Sequence, residues 1–304
     1  MMTPFAVPET AMAAVRLPLD AVRPHPIAAV AAGRVVQRHD ALAVEEPLEI
    51  RLCADDGEHG VTVTMRTPGA DAELALGLLV AENVLDGPRD VAGYRHCGSH
   101  GNVLKVVLAR GVVPRLGRLA RNLAATASCG LCGKATLDAV MAGSSGGRPP
   151  AAGRTVAPAV LHGLPRALRD AQPLFERTGG LHAVAAFSFD GERLALREDI
   201  GRHNAFDKLV GAMLGAGAVD LSQCLVALSG RAGFELLQKA AAVRVPIVVA
   251  VGAPTSLAVE LAARWGITLV GFLREASFNV YTHPRRLGIG SAETSVAVDA
   301  AARP

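Results

Sequence analysis

Cys129 and Cys132, in the run S-C-G-L-C-G-K at 128–134, form the densest chemical signal in the sequence. A C-x-x-C has three common uses. It supplies half of a zinc site, which here lacks a second C-x-x-C; Cys97, flanked by His96 and His100, is the one complement available. It acts as a redox pair, usually where a strand hands over to a helix. Or it carries sulfur. Gly130 and Gly133 keep the loop supple, Lys134 and the arginines before it favour thiolate, and thiolate attacks a donor persulfide. Residue types alone leave all three open.

A second cluster, E-D-I-G-R-H-N at 198–204, packs Glu198, Asp199, Arg202 and His203 where a strand gives way to a helix. Gly201 permits an unusual turn, and the first free N–H groups of a helix favour an anion. A helix cap with an Arg–Asp pair accounts for the same residues equally well. Third, Ser229, Gly230 and Arg231 end one strand of the C-terminal half, and A-P-T-S at 253–256 ends the next. In an open parallel sheet, ligands bind beyond the carboxyl ends of the strands, and these residue types suit phosphate or carboxylate. No Walker-type loop and no G-x-G-x-x-G is present.

The elements that must position these residues follow from periodicity. Leu48, Ile50 and Leu52 alternate, as do Val61 and Val63 after a turn at 54–60, which reads as a hairpin. Leu74, Leu78 and Leu85 have helical spacing over 71–85, and 103–108 reads as a strand. G-S-S-G-G-R-P-P-A-A-G at 143–153 is a linker. Beyond it, strands at 182–189 and 192–198 flank an Asp190–Gly191 turn, and a helix covers 204–214. Then strand, helix, strand, helix, strand run over 224–228, 234–243, 247–251, 257–265 and 267–273. These strands are near-continuous apolar runs, as in a parallel sheet covered by helices. The expected order is a poorly ordered extension at 1–40, a smaller α+β domain at 41–142 ending in the C-x-x-C loop, the linker, a larger α/β domain at 154–288 and a tail at 289–304.

The 304 residues are half hydrophobic, with a net charge of +3, too small for bulk attraction to nucleic acid or an anionic membrane. One Trp, two Tyr and eight Phe are too few for base-stacking platforms. No apolar run approaches the ~18 residues of a spanning helix, and Pro4, Pro8 and Pro18 break any signal-peptide core. Five cysteines make no disulfide scaffold; the cytoplasm is the expected compartment. Cys53 and Cys224, on apolar strands, read as buried thiols.

Together these stretches resemble one family, the formate dehydrogenase accessory sulfurtransferases of the FdhD type. The resemblance rests on E-P-L-E-I at 46–50, T-M-R-T-P-G at 64–69 followed by D-A-E-L-A-L-G, and S-C-G-L-C-G-K. It continues through F-E-R-T-G-G-L-H at 175–182, E-D-I-G-R-H-N-A-F-D-K-L at 198–209, S-G-R-A-G-F-E at 229–235, A-P-T-S-L-A-V-E at 253–260 and F-N-V-Y-T-H-P at 278–284. The resemblance covers about residues 43–286, with the motifs in family order.

The resemblance implies a larger domain with the cytidine-deaminase-like three-layer fold and a homodimer. It implies a sulfur carrier that takes persulfide sulfur from a cysteine desulfurase. The sulfur passes to the bis(molybdopterin guanine dinucleotide) cofactor, a bound substrate destined for formate dehydrogenase. By position Cys129 matches the persulfide cysteine, with Cys132 its partner. Phe272, Leu273, Arg274, Glu275, Ala276 and Ser277 match the cofactor stretch. Arg202, Arg231 and Arg274, with His203 and Ser229 beside them, suit a polyanionic dinucleotide because a guanidinium holds a phosphate by two hydrogen bonds. Asp199 is positioned to meet the N–H edge of guanine or pterin. Zinc deaminases carry H-x-E before P-C-x-x-C; here H-x-E is absent and Ser128 precedes Cys129, so no catalytic zinc is expected. The rivals are a non-catalytic cofactor chaperone whose cysteines bind metal or sense redox state, and a zinc protein. Two positions depart from the family pattern: Gly233 stands where Ser is usual, and Asn83 where Gly is usual.

Overall fold

The computed structural model describes residues 21–98, 101–116, 154–217 and 220–290. The linker at 143–153 and most of the tail lie outside them. The smaller unit is a four-stranded sheet of β3 (Glu46–Ala54), β4 (Gly57–Arg66), β5 (Val91–Cys97) and β6 (Val103–Leu108), in the order β4-β3-β6-β5. Alternation gives it one apolar face: Leu48, Ile50, Leu52, Leu104 and Val106 pack under Leu74 and Leu79 of α1 (Asp71–Ala81). The opposite face is polar. There Arg51 bridges Glu49 and Glu58, and Lys105 pairs with Glu58. Cys53 is partly exposed rather than buried, since its neighbour Leu52 takes the inward position.

The larger unit has three layers. Its six strands are β7 (His182–Ser188), β8 (Arg193–Asp199), β9 (Cys224–Leu228), β10 (Ile247–Ala250), β11 (Thr268–Gly271) and β12 (Asn279–Thr282). They lie in the order β12-β11-β10-β9-β7-β8, with β9, β10 and β11 parallel. All residues of β9, β10 and β11 are buried, which is why they read as unbroken apolar runs. On one face pack α4 (Arg202–Ala216), α5 (Phe234–Ala242) and α6 (Ser256–Arg264). On the other lies α2 (Pro158–Arg169), through Leu161, Leu164 and Leu168; the short α3 (Pro173–Thr178) leads into β7.

The two units are joined by α1 against α4. Burial on both sides makes α1 apolar nearly all round instead of striped. The crossing is close enough that only glycine fits. A Cβ on Gly77 would lie 1.8 Å from the Asp207 carbonyl oxygen, and one on Gly211 would lie 1.9 Å from that of Glu73. Helix α1 stops at Ala81, short of Leu85, because Asn83 takes a left-handed conformation (φ 56°). Glycine is the residue most at ease there and Asn the next, so this departure from the family pattern falls at a helix end that either residue can form.

The expectation of a poorly ordered extension over 1–40 is corrected from residue 22 on; residues 1–20 lie outside the described residues. Residues 22–43 form an antiparallel ribbon, β1 (Val22–Ala31) and β2 (Arg34–Ala43), turned by Ala32 and Gly33 at positive φ. Only its base packs, through Val22 and Ala43 against Leu174 and Leu181, while Val30 and Val35 toward the tip are 69% and 64% exposed.

Candidate functional site

The turns that follow β9, β10 and β11 lie at one edge of the large sheet and are knitted together by backbone. Gly252 N–H donates to the Gly230 carbonyl (3.0 Å), and Phe272 N–H donates to that of Gly252 (3.1 Å). Glycine is required at this approach: a Cβ on Gly252 would meet Gly230 at 2.9 Å, and one on Gly271 would meet Pro254 at 2.7 Å. Three helices begin at this rim. Helices α4 and α5 are capped by Gly201 and Gly233 without a side-chain bond, and α6 by Thr255, whose Oγ1 accepts the Ala258 N–H. Their positive ends make the rim favourable for anions.

The structure brings most of the sequence-derived residues to this rim. Arg202 and His203 open α4, and Ser229 and Arg231 follow β9. Neither guanidinium has a hydrogen-bonded or ionic partner among the described residues. His203 is held by Glu235, Nε2 to Oε2 3.1 Å. Ser229 Oγ accepts the Ala183 N–H at 2.9 Å and keeps its own hydrogen to donate. The 272–277 segment is the turn from β11 to β12. Phe272, Glu275, Ala276 and Ser277 are exposed there. Leu273 is a correction: at 1% exposure it belongs to the core and presents no surface to a ligand. Arg274 spends Nη1 on the carbonyls of Val251 and Leu273, bracing the turn.

Asp199 is the second correction. It is 0% exposed, and its oxygens are taken by Lys208 Nζ (2.6 Å) and by the backbone N–H groups of Thr67 (3.1 Å) and Gly201 (2.9 Å), with Asn204 Nδ2 at 3.3 Å. These partners use every lone-pair site of the carboxylate, so none is left for a guanine or pterin edge. Asp199 instead locks the two units: Lys208 also donates to the Thr67 carbonyl, and Asn204 to that of Met65. Glu198 likewise works inside the fold. Burial pushes its carboxyl up, while the Leu174 and Phe175 N–H groups that it accepts act against that rise.

Cys129 and Cys132 lie outside the described residues. Of the proposed complement, His96 and Cys97 are consecutive on β5 and point to opposite faces, His96 toward Asp71, while His100 lies outside the described residues. Among the described residues no group of three His, Cys, Asp or Glu side chains is placed to hold a metal ion.

A profile of the FdhD/NarQ family matches residues 43–288. The chain belongs to that family. A curated relative from Mycolicibacterium paratuberculosis, named sulfur carrier protein FdhD, is 48% identical over 268 residues, covering 84% of this chain and 95% of the relative. A second of that name, from Anaeromyxobacter dehalogenans, is 46% identical over 285 residues, 86% of this chain and 96% of its own. Among solved structures, a candidate formate dehydrogenase accessory protein from Desulfotalea psychrophila superposes with a TM-score of 0.69 at 22% identity, over 88% of this chain and 99% of that one.

Placed on this FdhD/NarQ fold, the rim is an electropositive shelf suited to a multiply charged anion, with glycine-tight turns, helix N-termini and the guanidiniums of Arg202 and Arg231, which have no partner among the described residues. Sequence reasoning missed His182 at the start of β7, half-buried and facing Arg202 and Arg231. Burial, and then the charges of Arg202, His203 and Arg231, hold its imidazole below the usual histidine range. The signal was its place at the end of F-E-R-T-G-G-L-H, but only the pairing of His182 with Asp199 across β7 and β8 brings it to the rim.

Proposed function

We propose that this chain is the sulfur carrier of formate dehydrogenase maturation, accepting sulfur on Cys129 and passing it to a molybdopterin guanine dinucleotide cofactor gripped at the rim. The observation that carries this is near-half identity, over almost their whole length, to relatives named sulfur carriers, in a chain that contains S-C-G-L-C-G-K. In the first step the Cys129 thiolate attacks the outer sulfur of a cysteine desulfurase persulfide. One S–S bond forms on Cys129 as the donor's breaks, and the donor cysteine leaves as thiolate. Cys132 is the second thiol of the loop.

Arg202 and Arg231 would hold the cofactor's phosphates, with Ser229 donating a hydrogen bond and the exposed Phe272 to Ser277 turn beside them. The absence of a counter-ion for either guanidinium among the described residues supports this. Deaminase-like ancestry of the larger unit belongs to the same reading, supported by its helix–sheet–helix build. So do a cytoplasmic location and a homodimer; the exposed ribbon β1–β2 supports the latter, since an isolated two-stranded hairpin is marginal in water. The test is to incubate the purified chain with a cysteine desulfurase and cysteine, then analyse the cysteine-loop peptide by mass spectrometry. Added sulfur on Cys129 is expected. If Cys129→Ala still restores formate dehydrogenase activity to cells lacking the wild-type chain, the proposal is wrong.

A further inference from the structure

His182 opens β7 with its ring beside the turn after β9; a Cβ on Gly230 would come within 3.3 Å of its Nδ1. Charged groups face it from each neighbouring element: Asp199 from β8, Arg202 and His203 from α4, and Arg231 from the β9 turn. Asp199 opposes the lowering of the imidazole pKa, but its charge is shared with Lys208, and His203 faces Glu235. What remains around the imidazole is two uncompensated guanidiniums. Neither ring nitrogen of His182 has a hydrogen-bond partner among the described residues. A half-buried imidazole in this field stays neutral, because a proton on it would be repelled from two sides. A diphosphate seated on Arg202 and Arg231 reverses the sign of that field and sets phosphate oxygens beside a ring that lacks a partner.

Building on the reading of the rim as a nucleotide-diphosphate site, we propose that His182 is a third ligand-contacting residue, which takes up a proton when the diphosphate binds and donates it as an N–H···O hydrogen bond. The proton comes from solvent, one N–H bond forms, and no other covalent bond changes. Binding is then tighter in mild acid and loosens as the pH rises, an affinity change that needs no movement of the fold.

Calorimetric titration of the full chain tests this with GDP-mannose, whose diphosphate diester keeps a constant charge between about pH 5.5 and 8. Two buffers of different ionisation enthalpy report the protons exchanged. We expect net proton uptake and an affinity that rises roughly fivefold to tenfold from about pH 8 to pH 6. His182→Gln should bind several-fold more weakly at about pH 6, with no uptake and a flat pH profile, and His182→Asn should do the same. Uptake and slope that persist in both variants overturn the inference, as does their loss in His203→Gln alone. Failure of the wild-type chain to bind GDP-mannose, or binding unaffected by Arg202→Ala with Arg231→Ala, overturns the underlying reading of the rim as well.

Discussion

At the junction of the two units each buried cation meets a carboxylate: Arg66 meets Asp71, Lys208 meets Asp199, and Lys239 meets Asp207 and Glu82. At the sheet rim, on the same helix α4, Arg202 meets none among the described residues, and neither does Arg231. The two regions draw on one residue repertoire under opposite constraints. A charge removed from water is tolerable only with a partner, so each buried cation of the junction is paired, and the pairing specifies how the units meet. A charge left half in water can wait for a partner that arrives from outside. Matched charge marks structure at the junction, and the unmatched pair at the rim is what the proposed site would use.

The comparison breaks first at the helix crossing. Gly77→Ala drives a methyl group into the Asp207 carbonyl. A loss on the order of 5 kcal/mol, the exceptional end for one substitution, is expected in urea denaturation. Next, Lys239→Met strands Asp207 and should cost about 3–5 kcal/mol near neutral pH, with most of it regained in the double variant carrying Asp207→Leu. Burial already pushes the Asp207 carboxyl up to about 6, and the variant removes the lysine that opposes this rise. The variant's Asp207 therefore titrates above the wild-type value, and its deficit should grow as the pH rises above about 6 and shrink as the pH falls back toward it.

At the rim the order of effects reverses. Arg202→Ala or Arg231→Ala should leave the unfolding free energy within about 0.5 kcal/mol of wild type in urea denaturation. Each should nonetheless weaken GDP binding by about tenfold or more in a fluorescence titration, the worth of a charge-assisted bond. A stability loss matching that of Lys239→Met would erase the distinction between the regions. The smallest effect is at Gly233, which caps α5 in extended conformation with only Glu235 Oε2 near its missing Cβ, at 3.7 Å. Serine fits there, and Gly233→Ser should raise stability by a few tenths of a kcal/mol in thermal melts.

Much of this was legible from local pattern. The β3–β4 hairpin follows from alternation at Leu48, Ile50 and Leu52, and the β9-α5-β10-α6-β11 run from apolar blocks of strand and helix length. What escaped is set by distant partners. Strand β5 reads V-A-G-Y-R-H-C and owes its extension to pairing with β6; β1 and β2, rich in Pro, Arg and His, define each other. Helix α2 shows Leu161, Leu164 and Leu168 at helical spacing, masked by Pro158 and Pro165. At the site, the motif around Asp199 was visible but its purpose was not, because Thr67 lies 132 residues away. Arg202, Arg231 and Ser229 lie at the rim because the ends of parallel strands are a position that element order alone supplies.

Cys224 sits in the middle sheet of the larger unit, fully buried, its Sγ donating to the Leu221 carbonyl, and burial pushes the thiol up to about 12. Alkylating reagents consume thiolate, so this sulfur stays silent while the strands remain closed. The partly exposed Cys53 and Cys97 offer no such shelter. The molecule thus carries its own opening clock: the rate at which Cys224 becomes alkylated, read beside those two, times how often the great sheet comes apart.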